Sequence, residues 1–219
     1  MNLMGLSGGL YAPLSPEDIE AIHDASLSIL EKTGFRFEDG LDETINLLEA
    51  NGASVDRNRS TIFLPRNMVM EQTRKAPEQV VFYSRDGKNN LDLTQHRVHL
   101  GTGGAAIKIL DLESGDARPT TLNDLYQLGR LVDVLDNIHF FLRPCVPTDI
   151  SETAYDENSL FACLKGTAEH VMFGATNERG FQKCFDIASM VAGGVERLKA
   201  KPFFSTVACF AISPLKLCT

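Results

Sequence analysis

Short runs of unbroken apolar residues recur about every 33 residues through the second half of the chain, and the segments between them carry helical patterning. The runs are Ile138–Leu142, His170–Phe173 and Phe203–Phe210, with helices expected over about Tyr155–Lys165 and Arg179–Leu198. A strand that is apolar at every position is covered on both faces, whereas a half-solvated strand alternates. Strands covered on both faces and each followed by a helix belong to a parallel sheet, because a parallel neighbour requires a crossover of a dozen residues or more.

Counting the segment before Gly101–Gly104 as a strand makes four βα units from about residue 96. A closed eight-stranded barrel takes about 250 residues, and this stretch is about half of that. The expected fold class is α/β, the first half of a (β/α)8 TIM barrel over residues 96–219, preceded by an N-terminal α+β extension over residues 1–95.

The extension opens on a helix-start signal. Ser15-Pro16-Glu17-Asp18 sets a hydroxyl at the N-cap, proline at the first helical position and two acids in the first turn. Ile19, Ile22, Ala25, Ile29 and Leu30 then form the expected buried stripe, and Thr33-Gly34 ends the helix. Further helices are expected near Leu41–Asn51 and from Pro65 to before Pro77, with a turn and a short strand over Ala53–Leu64. Strands are expected at Val80–Ser84, Asn90–Leu93, Arg97–Leu100 and Ala105–Leu110, and a capping box at Thr121–Asp124 starts a helix with Leu125, Leu128, Leu131, Val132 and Leu135 as its stripe.

With 29 acidic against 21 basic side chains and no basic cluster, the 219-residue chain is a poor match for phosphate backbones, so no nucleic acid is expected as a partner. No apolar stretch reaches the roughly 18 residues of a membrane span, and the first residues lack a basic and then apolar leader pattern. A soluble cytoplasmic protein is the expectation. The five cysteines, Cys145, Cys163, Cys184, Cys209 and Cys218, are odd in number and lack a CxxC pair, which fits reduced, packed thiols.

Few local motifs carry chemistry. Leu6-Ser7-Gly8-Gly9 imitates a transporter-ATPase signature without any phosphate loop to serve. Gly101-Thr102-Gly103-Gly104-Ala105-Ala106 fits a dinucleotide fingerprint in spelling, but such a fingerprint must open a helix, and a strand is expected here. The alternatives are a glycine-rich kink or a loop where a ligand approaches backbone N–H groups, which makes Gly101, Thr102 and Gly103 binding candidates. His23, His96, His99, His139 and His170 include no metal-binding pair at helical spacing, so no metal is expected. Arg143 follows a buried strand and is either a loop anchor or an anion clamp. Thr176 and Asn177 after the next strand, and Ser213 after the last, occupy equivalent positions. Ligands of parallel βα folds bind at such strand ends. No catalytic residue is assignable from spacing.

Several stretches resemble the trimethylamine methyltransferase family. They are Leu14–Gly34, Gly52-Ala53 with Val55-Asp56, the Gly101–Gly104 run, Leu110-Asp111-Leu112-Glu113-Ser114-Gly115 leading to Arg118-Pro119, Asp136-Asn137-Ile138, Arg143-Pro144 and Ile212-Ser213-Pro214-Leu215. The resemblance covers essentially the whole chain in order. It implies a TIM-barrel enzyme that takes a methyl group from a methylated amine, such as trimethylamine or glycine betaine, and passes it to the cobalt of a corrinoid carried by a separate protein. It further implies that this chain is an N-terminal fragment, that no cofactor is bound directly, and that the full-length protein is a homo-oligomer. Two readings of other classes stand beside it: a truncated, non-catalytic binding or assembly module, and a dehydrogenase if Gly101–Ala106 opened a helix. An open half-barrel exposes a strand edge, so the isolated chain is expected to self-associate.

Overall fold

The computed structural model describes residues 5–207, 211–212 and 215–217. The chain divides into two compact units, Gly9–Glu78 with Cys209–Thr219, and Met1–Gly8 with Gln79–Ala208.

In the first of these, Ser15 caps helix α1, Pro16–Ser28: its Oγ accepts from the Asp18 N–H, and the Asp18 carboxylate accepts from the Ser15 N–H at 3.0 Å. A π-helical turn, Ile29–Thr33, extends α1 to Gly34, whose φ of 70° permits the chain to reverse. A Cβ at Gly34 would lie 2.4 Å from the Ile62 carbonyl, so only glycine fits. Helices α2, Asp42–Ala50, and α3, Arg66–Arg74, fall where sequence places them. A five-stranded sheet runs in the order Ala211–Ile212, Lys216–Leu217, Phe35–Phe37, Thr61–Phe63, Ser54–Asp56. Ile45, Ile62 and Leu217 form its buried core.

The α1 stripe expected from sequence is corrected by the structure. Leu27 is the buried residue, whereas Ile19, Ile22 and Ile29 are about half exposed. The side of α1 that carries Asp24 and His23 faces α3: Arg66 pairs with Asp24 at 2.7 Å and His23 meets the Met70 sulfur at 3.4 Å, both exposed contacts. Likewise Ala53–Leu64 forms two paired strands where one was expected.

The other unit is built on three parallel strands in sequence order, Phe140–Leu142, His170–Phe173 and Phe204–Thr206. Between them run α4, Leu122–Asp133, α5, Tyr155–Gly166, and α6, Glu178–Ala192, followed by α7, Val195–Ala200. The single helix expected over Arg179–Leu198 is interrupted because Gly193 and Gly194 adopt φ of 78° and 131°. Phe141, Val171, Phe173 and Phe204 pack against Leu125, Leu160, Cys163 and Cys184 in one buried cluster that joins the sheet to its helices. Helices α4 and α5 approach closely at Gly129 and Gly166, where a Cβ on Gly166 would lie 3.0 Å from the Gly129 Cα.

The expected first strand is also corrected. Arg97–Val98 pairs antiparallel with Leu6–Ser7, and the parallel contact with the sheet is made by the glycine run itself through bridges from Gly101 to Phe140 and from Ala106 to Cys145. The expected strand Ala105–Leu110 shortens to Lys108–Leu110, which forms a hairpin with Ala117–Pro119. Gly101–Ala106 opens no helix. Among the described residues no sheet closes into a barrel, so the fold stands as mixed α/β. No described helix is long and apolar enough to cross a membrane.

The hairpin is fastened to α4 by Arg118, which makes two hydrogen bonds to the Asp124 carboxylate at 2.7 and 2.8 Å and one to Asp111 at 3.0 Å. Asp124 is also the reciprocal partner of the Thr121 cap. Arg118 holds its carboxyl far below the usual carboxylate range. Asp124→Ala is expected to destabilise the chain by about 2 kcal/mol, the upper range for a lost helix cap. Urea denaturation checks this, and a loss under a quarter of that value would contradict the shared role.

Candidate functional site at the C-terminal edge of the parallel sheet

Arg143 follows the last residue of the strand Phe140–Leu142, and Phe141 and Cys145 on either side of it lie in the buried cluster against the helices. Arg143 leaves the sheet towards the start of α5, where it meets Tyr155. Its backbone N–H donates to the Met172 carbonyl at 3.0 Å, which ties the first strand's end to the second strand. Its guanidinium carbon lies 5.2 Å from the centre of the Tyr155 ring, a cation–π contact that holds the side chain flat. Burial pushes the Tyr155 phenol up from its ordinary value, with the Arg143 charge opposing, so the ring stays neutral. The Arg143 Nη1 is buried and has no hydrogen-bond partner among the described residues.

Arg143 lines a cleft of about 670 Å³ together with Val146, Glu152, Tyr155, Thr176 and Asn177. Three of the sequence candidates thus meet in one place, although they come from two different loops. Asp156, in the first turn of α5, is what fixes the second loop. It is 3% exposed and accepts from the Thr176 N–H at 3.0 Å and from the Thr176 hydroxyl at 2.7 Å. Asn177 then caps α6, its Oδ1 accepting from the Gly180 N–H at 2.9 Å.

Gly101, Thr102 and Gly103 lie elsewhere, along the edge of the first strand. The Thr102 hydroxyl donates to the Leu142 carbonyl at 2.6 Å, and a Cβ on Gly101 would sit 2.3 Å from the Phe140 ring. The missing side chain at Gly101 lets the chain lie flush against Phe140. Ser213 lies outside the described residues. Sequence reading missed Tyr155, Glu152 and Asp156. Acids and aromatics at a helix start are ordinary, so only the contacts of Tyr155 with Arg143 and of Asp156 with Thr176, and the place of Glu152 in the cleft wall, mark them.

The opposite edge of the sheet holds two buried titratable groups. His170 stacks on Phe82 with ring centres 4.1 Å apart, and its Nδ1 and Nε2 meet the Tyr83 carbonyl at 3.1 Å and the Ser205 hydroxyl at 3.0 Å. Burial lowers its pKa to about 4. Glu169 accepts from the Asn89 amide, its other oxygen has no partner among the described residues, and burial pushes its pKa up to about 7. His99 and His139 form a third polar group, with ring centres 5.5 Å apart. No group of three or more metal-ligating side chains occurs among the described residues. Cys145, Cys163 and Cys184 are buried free thiols whose pKa values burial raises, which leaves them protonated and unreactive.

Comparison with known proteins decides the kinship. The family model for trimethylamine methyltransferase matches residues 6–218. The chain belongs to the trimethylamine methyltransferase family. It is 31% identical over 206 residues to the trimethylamine methyltransferase MttB of Desulfitobacterium hafniense strain DCB-2, an alignment that covers 94% of this chain and 41% of that protein. It is 25% identical over 207 residues to a glycine betaine methyltransferase of Desulfitobacterium hafniense strain Y51, covering 94% of this chain and 42% of that one. The chain thus spans about two-fifths of the length of these curated relatives. Two of the stretches that carry the family resemblance have plain structural duties: Ser15–Asp18 starts α1, and Asp111 with Arg118 fastens the hairpin to α4. Arg143 differs from them, because its charge meets no carboxylate in an ion pair among the described residues.

Proposed function

We propose that this chain forms the N-terminal portion of a corrinoid-dependent amine methyltransferase, and that its parallel βα units begin a (β/α)8 barrel. The carrying observation is the family match over residues 6–218, joined to three parallel strands in sequence order with helices packed on one side. Sequential parallel strands with intervening helices are the repeating unit of such barrels. Loops at their C-terminal ends position substrate, and here those loops carry Arg143, Thr176 and Asn177.

A corrinoid carried by a partner protein supplies a nucleophilic metal centre to receive the methyl group. This chain's part is to bind and orient the amine so that the carbon–nitrogen bond points at the acceptor; the nitrogen keeps the electron pair of the broken bond. Alignment of that kind accounts for much of the rate advantage of a two-substrate enzyme. The Tyr155–Arg143 stack and the Asp156–Thr176 clamp keep the loops rigid while this happens. We place the protein in the cytoplasm, as a homo-oligomer when full length.

A chimera tests the proposal. Residues 6–218 replace the matching segment of the Desulfitobacterium MttB, and methyl transfer from trimethylamine and from glycine betaine to free cob(I)alamin is followed by absorbance. Transfer from either amine is the expected result. A folded chimera that transfers from neither amine, while the unaltered relative does so in the same assay, refutes the reading.

A further inference from the structure

We infer that the cleft between the strand Phe35–Phe37 and the turn over residues 57–60 is a binding site for a phosphate group. It lies on the five-stranded sheet, in residues that the proposed methyl transfer does not use. Two features that cost the fold stability line this one cleft, and a phosphate accounts for both.

The first feature is a pair of like charges. Phe35 and Phe37 pack against the buried core of this sheet and Leu217 belongs to it, so alternation puts Arg36 and Lys216 on the opposite face. The parallel register makes these two cations direct neighbours. Like charges placed so repel. Lys216 has an ion pair with Glu38, whereas Arg36 forms none among the described residues. Arg59 lines the same cleft and forms none either; its backbone N–H donates to the Asp56 carboxylate at 3.1 Å, which holds the turn in place. By contrast Arg57, Arg66, Arg97 and Arg118 each hold a carboxylate partner.

The second feature is Ser60, whose φ of 48° lies in the left-handed region. Glycine is relaxed there and a side chain is strained. Ser60 ends the turn that leads into Thr61–Phe63, and its carbonyl accepts from the Phe37 N–H at 3.0 Å. A glycine would keep that hydrogen bond without the strain. The chain carries a serine instead, and it lines the cleft with Arg36, Arg59 and Lys216. Strain held at one residue points to a use for its side chain.

The donors in the cleft suit phosphate better than a carboxylate. Two guanidinium forks, an ammonium, the Asn58 amide and the Ser60 hydroxyl all line it. A phosphate monoester has three terminal oxygens and a charge of about −1.5 to −2 near pH 7, so it can lie between cations that otherwise repel. A carboxylate has two oxygens and a single charge. Three cations against the two acids Glu38 and Asp39 leave the cleft one positive charge in excess, in a chain whose net charge is −8. The two acids are acceptors for hydroxyl groups on the organic part of an ester, and the volume of about 690 Å³ is larger than a bare phosphate needs.

Calorimetric titration of the 219-residue chain with glycerol 3-phosphate, inorganic phosphate and sodium acetate tests the site, at about 0.15 M ionic strength so that loose surface pairing is screened. Both phosphates are expected to bind, with acetate about tenfold weaker or worse. Tighter binding of the ester assigns the site to a phosphorylated small molecule, and equal binding assigns it to free phosphate; either supports the site. Arg36→Gln and Arg59→Gln are each expected to lose about tenfold in phosphate affinity. Ser60→Gly is expected to melt at a higher temperature than the parent and yet to bind phosphate more weakly, a combination that a purely structural serine does not give. Arg36→Gln without ligand is expected to melt no lower than the parent, because Lys216 loses a like-charged neighbour. If Arg36→Gln does not fold, Arg59→Gln decides, since that residue sits in the turn. The inference is overturned if neither phosphate binds, if acetate binds as tightly, if the variants keep the parent's affinity, or if Ser60→Gly gains stability with binding unchanged.

Discussion

Asp156→Ala is expected to destabilise the chain by about 3 kcal/mol, the upper range for hydrogen bonds to a charged acceptor. The carboxylate is 3% exposed and holds both the N–H and the hydroxyl of Thr176, itself an exposed residue, so its loss breaks two hydrogen bonds to a buried charge. It also frees the turn that sets Asn177 at the start of α6. The packing leaves no spare room for an adjustment: a Cβ on Gly180 would lie 1.9 Å from the Asp156 Oδ2. Gly180→Ala is therefore expected to push the carboxylate off Thr176, with the same consequence by a different route. Urea denaturation gives the stability, and hydrogen exchange at Thr176 reports the loop. A loss below 1 kcal/mol with Thr176 still protected would show that the clamp contributes nothing.

The second large effect is hidden in the parent and emerges only in variants. His170, ordinarily 6.5, titrates near 4 in the folded chain. A depressed histidine contributes stability that is present above pH 6.5 and lost as pH falls towards 4. Glu169, ordinarily 4.5, titrates near 7. A raised carboxyl contributes stability that is present below pH 4.5 and lost as pH rises towards 7. Between about pH 4.5 and 6.5 the unfolded pair holds its one proton on histidine, and the folded pair holds one proton on glutamate. The proton counts match, so the two slopes cancel.

Glu169→Gln keeps an acceptor for Asn89 and removes one slope. Relative to the parent it is expected to gain about 3 kcal/mol between pH 4.5 and 7, since each pKa unit is worth about 1.4 kcal/mol. His170→Asn is expected to move the other way: relative to the parent it loses about 3 kcal/mol as pH rises from 4 to 6.5. Denaturation curves at four pH values in this window measure both differences. Two variants whose stability runs parallel to the parent at every pH would disprove the exchange. Because each difference is taken against the parent, the other titrating groups drop out to the extent that the variants leave them undisturbed.

These two predictions concern residues with different legibility. His170 begins a strand that sequence places to the residue, His170–Phe173, because a short apolar run between two helix patterns has one interpretation. Its charge state is not written there; it follows from Phe82 and Ser205, which lie 88 and 35 positions away and are brought to its ring by the fold. Asp156 is similar. Sequence places it only at the start of the helix expected over about Tyr155–Lys165, and its burial is decided by a loop 20 residues later. Thr176, Asn177 and Arg143 were legible as strand-end positions, and their meeting in one cleft follows from the parallel order of the strands.

Sequence alone determined what neighbours along the chain decide. The cap at Ser15, the capping box at Thr121 and the turn at Gly34 rest on contacts within a few residues, where spacing is geometry, and the unbroken apolar runs mark the strands themselves, although their pairing joins residues as far apart as Phe140 and His170. Tertiary structure alone decided which face of α1 is buried, because the helix lies against α3, whose Arg66 and Met70 are 42 and 47 residues from the α1 side chains they meet. It also decided that Lys216–Leu217 lies beside Phe35–Phe37, and that the glycine run, not the segment before it, pairs with the first parallel strand. Above all it decided that Arg143 is a cation without a carboxylate partner among the described residues. A residue type and a strand end can be read from a string of letters, but an unmet hydrogen bond is a property of everything that surrounds it.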